Sequence, residues 1–480
     1  MRFWTAIGLI LVLSAVGLTY EIAAGRVLAP FFGTSLLTWT AVIATVLAGF
    51  SLGNALGGFL AEQERGRALR GIRAVLVATA ILVALSPLVL GLVYALGARG
   101  TGGMLVSVVL AFFPASVLIS APSPLLAKLA VEARPGREGS SLGLVLAAGS
   151  LGAILGAVLA GFVALPLAGS LATFAGCATA TLLCLPFLRK GAGDARAWLS
   201  TLLGVGFLAA ASLALGPVCR YESGLSCIDV TRTGGAVHLY SDRTRQAAER
   251  IGPPEAGADL VLPYTQWIWA RMDRDLGPAP SVLFVGGGGY TLPTQLLAAR
   301  PEAEAVAVEI DPLVTQVVRR HMPRAGAAIA ATGYDASEGD PGERRLGIVH
   351  ADGRVYLNET DRRFDAAVMD AFSSGSVPAH LVTVETYARL REIVRGPVYV
   401  NLIDVPDGRL ARGTRAILAS LYPHVIAVEG PITGQGLANI VMVASPAPLA
   451  PLDTLPDGYH AATIGPGRAF TDDRGWVGHR

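Results

Sequence analysis

The first 217 residues contain seven apolar stretches, each long enough for a helix that crosses a lipid bilayer. Such a helix needs roughly 20 mainly apolar residues to span about 30 Å of hydrocarbon. The stretches lie at about 4–25, 36–61, 72–97, 103–130, 141–164, 168–188 and 197–216. We therefore predict that residues 1–217 form an all-α, multi-pass membrane domain of about seven helices, with the lipid bilayer as its partner.

The charged residues divide the chain at the same point. Residues 1–217 hold 13 of the 38 Lys and Arg residues and 6 of the 36 Asp and Glu residues. The rest of the chain has the composition of a water-soluble globular domain, without the basic stripe that is typical of nucleic-acid binding. We expect no nucleic-acid partner.

The positions of the arginines predict an orientation. Basic clusters lie at 62–73, 128–137 and 189–196, which are alternate connections between the apolar stretches. Because cytoplasmic loops are enriched in Lys and Arg, these three connections should be cytoplasmic. Seven crossings then place everything after about residue 217 outside the cytoplasm.

Three polar or reactive residues lie within or just after the apolar region, and each suggests a structural or functional role. Cys219 and Cys227 follow the last apolar stretch and can form a disulfide in an oxidising compartment, or remain two unpaired thiols. Glu21 lies inside the first stretch, where a carboxylate facing lipid is costly, so we expect it to face the bundle interior. It is either a substrate or proton site or a structural partner of Arg26 or a neighbouring helix.

The second half alternates strands and helices. CIDVTR and AVHLYSD predict short strands around the turn TGG, so residues 218–262 read as a small β-region and linker. Over 263–450 the alternation predicts an α/β Rossmann-like domain, in which helices cover both faces of a parallel sheet. Residues 324–343, rich in Ala, Gly and Asp, predict a flexible loop, and 451–480 form a C-terminal tail.

Residues suited to binding a ligand follow four successive predicted strands, at the carboxyl ends where such folds bind ligands. They are the glycines of FVGGGGYTLP (Gly286, Gly287, Gly288 and Gly289), then Glu309, Asp352 and Asp370. The glycines permit a tight turn, and Glu309 can accept hydrogen bonds from two ribose hydroxyls. Asp352 either accepts from an adenine amine or caps a helix. Asp370 follows a wholly apolar strand.

Two kinds of nucleotide, a nicotinamide dinucleotide and an S-adenosylmethionine-type nucleotide, are compatible with this pattern. The glycine turn partly fits the dinucleotide fingerprint, but Thr291 stands where a third Gly or Ala is expected. A nicotinamide enzyme has no particular need for both Asp352 and Asp370. We therefore favour S-adenosylmethionine or a close relative as co-substrate, and we expect no metal.

Two families resemble parts of the chain. The first six helices, with the loop GGFLAEQERGR at 57–67, resemble half of a major facilitator transporter. Residues 220–445 resemble spermidine synthases, specifically bacterial members fused to a membrane domain. The second resemblance is carried by YESGLSCIDV, LYSDRTRQ, LPYTQWIWA, the glycine turn, VEIDP, ADGRVYL and MDAFSSGSVPAHLVTVETY, in that order.

The second resemblance implies an aminopropyltransferase-like enzyme in a bacterial inner membrane. That family moves an aminopropyl group from decarboxylated S-adenosylmethionine to an amine and releases methylthioadenosine. It implies Gln246 near the tail of the nucleotide, Glu309 on the ribose, Asp352 on adenine and Asp370 as the catalytic residue near the attacking amine. The acceptor side would be lined by Tyr264, Ser373, Thr383, Glu385 and Tyr387.

Two positions depart from the family pattern. The family usually has Asp where this chain has Gly289 and Ser373, and those carboxylates grip cationic amines. We therefore expect a dicationic acceptor such as putrescine to bind weakly, because each lost charged contact is worth about 1.5–3 kcal/mol. The leading hypothesis is a membrane-bound, spermidine-synthase-like transferase that alkylates a small amine or other nucleophile. The alternatives are an S-adenosylmethionine-dependent methyltransferase and a transporter with a non-catalytic nucleotide-binding domain. A homodimer stays open.

Overall fold

The chain divides into two compact units, Met1–Cys227 and Ile228–Arg480, in a computed structural model. The structure describes residues 2–33, 36–188, 203–204, 219–252, 260–339, 342–371, 378–434, 436–452 and 454–473.

The first unit consists mainly of long apolar helices. They are α1 (Phe3–Phe32), α2 (Leu36–Glu62), α3 (Arg65–Ala95), α4 (Gly100–Ser120), α5 (Ser123–Glu132), α6 (Glu138–Val158) and α7 (Leu165–Leu183). A π-helical segment, Leu159–Ala164, joins α6 to α7, a 3₁₀ turn spans Leu185–Leu188, and a two-residue strand, β1, spans Tyr221–Glu222.

Five helical segments of the described residues are long and apolar enough to cross a membrane. One of them, Glu138–Leu188, has 51 residues and contains two of the predicted stretches. Its backbone leaves helical geometry at Gly169, where φ is 78°, so it comprises more than one straight helix. The seventh predicted stretch, 197–216, lies outside the described residues apart from 203–204.

Glycines allow these helices to approach one another closely. A Cβ added at Gly156 of α6 would lie 2.2 Å from the carbonyl oxygen of Ala15 in α1. A Cβ at Gly57 of α2 would lie 2.1 Å from the carbonyl oxygen of Ala121, which follows α4. Small residues at helix contacts are typical of membrane bundles, because van der Waals packing is the main attraction between helices in lipid.

The polar residues singled out in this unit are largely buried. Glu21 is 8% exposed and Arg26 is 6% exposed. The Arg26 guanidinium donates hydrogen bonds to the carbonyl oxygens of Ser223 and Leu225, at 3.2 and 3.3 Å. Cys219 and Cys227 are joined by a disulfide.

The second unit begins with a small antiparallel sheet made of β2 (Cys227–Thr233), β3 (Ala236–Ser241) and β4 (Thr244–Arg250). The predicted turn TGG is present, with positive φ at Gly234 and Gly235. The sequence pattern did not predict β4. Its turn is formed by Asp242 and Arg243, both with positive φ, a conformation that is uncommon outside glycine and gave no clear signal.

The main sheet has nine strands, in the order β13-β11-β12-β10-β9-β5-β6-β8-β7. The strands are β5 (Ser281–Val285), β6 (Glu304–Val308), β7 (Gly333–Asp335), β8 (Leu346–Val349), β9 (Ala366–Met369), β10 (Val398–Asp404), β11 (His424–Glu429), β12 (Ala438–Ser445) and β13 (His460–Ala461). The six from β7 to β10 in this order are parallel, and β12 and β11 are antiparallel to their neighbours. This is a Rossmann-like sheet.

Seven helices connect these strands within the described part of the second unit. They are α8 (Pro263–Asp275), α9 (Thr291–Ala299), α10 (Pro312–His321), α11 (Pro323–Thr332), α12 (Gly353–Glu359), α13 (Val384–Ile393) and α14 (Arg409–Leu421). The chain order reverses between β5 and β9. In such sheets this switch point opens a crevice at the carboxyl ends of the strands.

The prediction of a flexible loop at 324–343 is wrong, because these residues include all of α11 except Pro323 and the whole of β7. Alanine has the highest helix propensity, and Pro323 is suited to the first turn of a helix. The carboxylate of Glu249 accepts hydrogen bonds from the backbone N–H groups of Arg324 and Ala325, at 2.6 and 3.0 Å. These bonds satisfy first-turn donors of α11 and fix the helix against the small sheet.

Candidate active site

Strand register places three predicted site residues side by side. Val285 of β5 pairs with Val308 of β6 on one side and with Met369 of β9 on the other. Gly286, Glu309 and Asp370 each follow one of these paired residues directly. They therefore meet at one edge of the sheet, on either side of the switch point.

The glycine turn is shaped so that side chains do not fit. Gly286 has φ of 101°, and an added Cβ would lie 2.4 Å from the backbone oxygen of Asp370. Gly288 also has positive φ, and a Cβ at Gly287 would lie 2.9 Å from the Cβ of Glu309. The turn thus packs bare backbone against the two acidic residues, at positions where a side chain does not fit.

Gly289 is packed differently from the other three glycines. An added Cβ there would lie 2.2 Å from the Cβ of Ala247 in β4 and 3.2 Å from the Cε of Met322. The small sheet therefore excludes any side chain at the position where spermidine synthases usually have Asp.

Glu309 holds the glycine turn. Its carboxylate accepts hydrogen bonds from the backbone N–H groups of Gly288 and Asp311, both at 3.0 Å. Burial raises the pKa of Glu309, whereas these backbone donors act in the opposite direction. Each carboxylate oxygen can accept more than one hydrogen bond, so Glu309 can hold the turn and still receive ligand hydroxyls.

Asp370 lies at the centre of a polar network. Its Oδ2 accepts a hydrogen bond from the Tyr264 hydroxyl at 3.0 Å, and its Oδ1 accepts one from Nδ2 of Asn401 at 2.8 Å. The Oδ1 of Asn401 in turn accepts from Nδ2 of Asn439 at 3.1 Å. Burial raises the pKa of Asp370 to about 6, and the bonds from Asn401 and Tyr264 oppose this rise. A carboxylate with such a pKa can exchange a proton near neutral pH.

Tyr264 connects this network to the small sheet. Its hydroxyl also lies 3.5 Å from the backbone oxygen of Gln246 in β4. Burial and the neighbouring Asp370 carboxylate raise the pKa of Tyr264 well above its ordinary value, so its hydroxyl stays protonated as a donor. Gln246, Tyr264 and Asp370 are thus brought together.

Asp352 caps a helix, which is one of the two roles that the sequence left open. Its Oδ1 accepts hydrogen bonds from the backbone N–H groups of Arg354 and Val355 at the start of α12, at 2.8 and 3.3 Å. Its Oδ2 lies 2.9 Å from Nε2 of His380. The cap fixes the carboxylate, and its second oxygen is held by His380 rather than left to solvent alone.

The other predicted acceptor-side residues make no described contact with Asp370. Thr383 caps α13 through the Thr386 N–H at 3.3 Å, and it also accepts from Arg354 at 3.3 Å. The Glu385 carboxylate accepts from the backbone N–H of Asp472 at 3.1 Å. Tyr387 is fully buried in the core of the second unit. Ser373 lies outside the described residues.

Sequence reasoning missed Asn401, Asn439 and His380. Asn401 is 4% exposed, although it lies within the apolar strand β10. A buried amide inside an apolar run is the signal that could have identified it, because buried polar groups need partners. Over the described ranges, no group of three or more His, Cys, Asp or Glu residues is arranged to hold a metal ion.

Comparison with known proteins supports the resemblance found in the sequence. No family model matches the chain. A polyamine aminopropyltransferase of Korarchaeum cryptofilum is 29% identical over 150 residues, which cover 30% of this chain and 43% of that protein. The polyamine aminopropyltransferase of Saccharolobus solfataricus is 29% identical over 119 residues, which cover 24% of this chain and 36% of that protein. The chain thus spans less than half the length of these relatives.

Solved structures give more distant matches. A probable spermidine synthase from Corynebacterium glutamicum has a TM-score of 0.44 and 18% identity, with 54% of this chain and 97% of that chain covered. A spermidine synthase from Thermotoga maritima has a TM-score of 0.37 and 15% identity, with 54% and 83% covered. The curated relatives, which are 29% identical to this chain over the matched residues, confirm the resemblance to polyamine aminopropyltransferases.

Proposed function

We propose that this spermidine-synthase-like chain is a membrane-bound transferase that moves an aminopropyl group from decarboxylated S-adenosylmethionine to an amine. The observation that carries the proposal is the Asp370 carboxylate, held between Tyr264 and Asn401 and adjoining the glycine turn. The turn, in which an added Cβ would strike backbone, and the buried carboxylate of Glu309 fit a bound nucleoside.

The residues have distinct roles in this reaction. Glu309 and the glycine turn hold the nucleoside, and Asp352 stands further along the same edge of the sheet. Asp370 orients the acceptor amine and accepts its proton. The amine nitrogen then forms a bond to the propyl carbon next to the sulfonium, the carbon–sulfur bond breaks, and methylthioadenosine leaves with the electron pair. Positioning of the two reactants and proton removal by a fixed base both lower the barrier.

The acceptor differs from that of a standard spermidine synthase. Packing against Ala247 excludes a carboxylate at Gly289, and position 373 carries Ser rather than Asp. Fewer carboxylates face the amines of donor and acceptor, and each missing charged contact costs about 1.5–3 kcal/mol. We infer an acceptor with a single amine in preference to a diamine.

The second unit is placed outside the cytoplasm in this proposal. The three arginine-rich connections support an inside N-terminus, and the Cys219–Cys227 disulfide is typical of oxidising compartments. A reporter fused after Arg480 tests the orientation. Activity of a reporter that works only in the cytoplasm would contradict it.

Donor choice tests the proposed reaction. The full chain, purified in detergent, is offered S-adenosylmethionine or its decarboxylated form with a panel of monoamines and diamines. Methylthioadenosine formed only with the decarboxylated donor and an amine supports the proposal. S-adenosylhomocysteine would identify a methyltransferase instead. If neither forms although the nucleotide binds, the second unit serves nucleotide binding or transport, and the enzyme proposal is wrong.

A further inference from the structure

The first unit buries a carboxylate for which its described residues provide no partner. Glu21 is 8% exposed, and no described hydrogen bond or ion pair reaches its side chain. The other five acidic residues of 1–217 lie in or beside the basic connections at 62–73, 128–137 and 189–196, whereas Glu21 lies inside an apolar stretch. An unpaired carboxylate is costly in apolar surroundings, so Glu21 either carries a proton or holds a cation that the chain does not supply.

Two glycines of α1 allow aromatic rings to pack on either side of Glu21. Gly17 and Gly25 lie one helical turn before and after it, on nearly the same face of the helix. A Cβ added at Gly25 would lie 2.4 Å from the Trp39 ring of α2. A Cβ added at Gly17 would lie 3.2 Å from the Phe50 ring, also of α2. Glu21 therefore lies between the two rings along α1.

Over the described ranges, no basic side chain is placed to neutralise this carboxylate. The face of α1 that carries Glu21 is turned towards α2 and α4, since a Cβ added at Gly17 would also lie 3.4 Å from Ile119 of α4. Neither α2 nor α4 contains a Lys, Arg or His. Arg26 lies about 140° around the helix from Glu21, and its guanidinium donates to backbone oxygens of the segment 219–227. A buried negative charge is thus left without compensation.

We propose that Glu21 binds an organic ammonium ion between Trp39 and Phe50. The carboxylate offsets one positive charge, and aromatic rings attract cations while they pack against the attached alkyl groups. A bare metal ion fits less well, because Ca²⁺ and Mg²⁺ take several oxygen ligands and the bordering side chains are apolar. A second ammonium group would lack its own carboxylate, so the site favours a monoamine over a diamine. The proposal does not rest on the proposed transferase function.

The charge requirement is tested by calorimetry. The full chain, purified in uncharged detergent without nucleotide, is titrated with n-butylammonium chloride and separately with n-butanol. We expect butylammonium to bind and butanol, which has a similar size and no charge, not to bind. Glu21→Gln keeps the size of the side chain and should weaken butylammonium binding at least about tenfold, because it removes the opposing charge. Glu62→Gln is the control, since Glu62 is exposed at the end of α2, and it should bind butylammonium like the native chain.

The contribution of the aromatic rings is tested by two replacements of Trp39. Trp39→Leu should weaken butylammonium binding about two- to tenfold, because leucine fills apolar volume but has no ring that attracts a cation. Trp39→Phe should retain most of the affinity. Trp4→Leu is the control, since Trp4 is 65% exposed near the start of α1 and should leave binding unchanged. Equal losses in Trp39→Leu and Trp39→Phe would contradict the role of the ring.

Chemical labelling of the native chain makes the test independent of how the variants fold. Dicyclohexylcarbodiimide, an apolar reagent, adds to buried carboxylic acids, and mass spectrometry of the peptide that contains Glu21 measures the modified fraction. Butylammonium should slow this modification, and butanol should not. If butylammonium does not bind, Glu21 holds only a proton and the proposal is wrong. Binding that fails to protect Glu21, or that Glu62→Gln weakens as much as Glu21→Gln, would place the ammonium elsewhere and contradict the proposal as well.

Discussion

Replacing Asn401 by Leu should move the pH dependence of the transferase reaction towards higher pH. Asn401 donates a hydrogen bond of 2.8 Å to the Asp370 carboxylate, and this bond opposes the rise in pKa that burial causes. Leucine has a similar size but offers no donor, so the ionised form of Asp370 loses its support.

The size of the shift follows from the strength of that bond. A hydrogen bond to a charged group is worth about 1.5–3 kcal/mol, and 1.36 kcal/mol corresponds to one pKa unit. The pKa of Asp370, about 6 in the native protein, should therefore rise by about one to two units. Because the base must be ionised, activity at pH 7 should fall about two- to tenfold, and it should approach the native rate at about pH 9.

The assay is amine-dependent release of methylthioadenosine between about pH 5 and 9. The same amine is used for every variant, so its own titration cancels in the comparison. Asn439→Leu serves as the control, because Asn439 contacts Asn401 and not Asp370, and should cause a smaller shift. A rate loss that is uniform across pH, or an unshifted acid limb, would refute the role of Asn401.

Three further predictions concern stability and binding. Asp370→Asn should raise thermal stability above about pH 6, by at most about 3 kcal/mol, and should have no effect below about pH 4. Because burial raises the pKa of Asp370 from 3.8 to about 6, the ionised carboxylate destabilises the folded state, and this destabilisation grows as the pH rises between these two values. Melting curves of both proteins at pH 4 and pH 8 measure the difference in stability. Gly289→Asp should lower the free energy of unfolding by roughly 1–3 kcal/mol without improving putrescine binding. Ala247→Gly should partly restore stability in the double variant, because it removes the side chain that the new aspartate meets. An unchanged melting temperature in Gly289→Asp would contradict the close contact between positions 289 and 247. Glu309→Gln should weaken nucleotide binding at least about tenfold in calorimetry, because it disturbs both the turn and the ribose contact, whereas exposed Glu302→Gln should not.

The sequence predicted the parts of the fold that depend on local pattern. The apolar runs before Gly286 and Asp370 identified two neighbouring strands, and the acidic residues at strand ends identified the crevice. Contacts between residues that are far apart in the sequence could not be predicted from local pattern. The contacts of Asp370 come from α8 and β10, and only the strand register brings Asn401 opposite it.

Other misses have equally local causes. The helix α11 was not predicted because small residues such as Gly326 and Ala325 occur in both loops and helices. The contact that stabilises its first turn comes from Glu249 in β4, which is distant in the sequence. The exclusion of a side chain at Gly289 could not be foreseen, since it depends on Ala247 in the small sheet.

The role of Asp370 as general base is tested by the rate of methylthioadenosine formation in Asp370→Asn, with nucleotide affinity measured in the same preparation. We expect a rate loss of about 10²- to 10⁴-fold, the range typical for removal of a general base, with nucleotide affinity preserved. A native rate would contradict the claim that Asp370 is the base. A rate loss that is fully explained by lost nucleotide binding would contradict it as well.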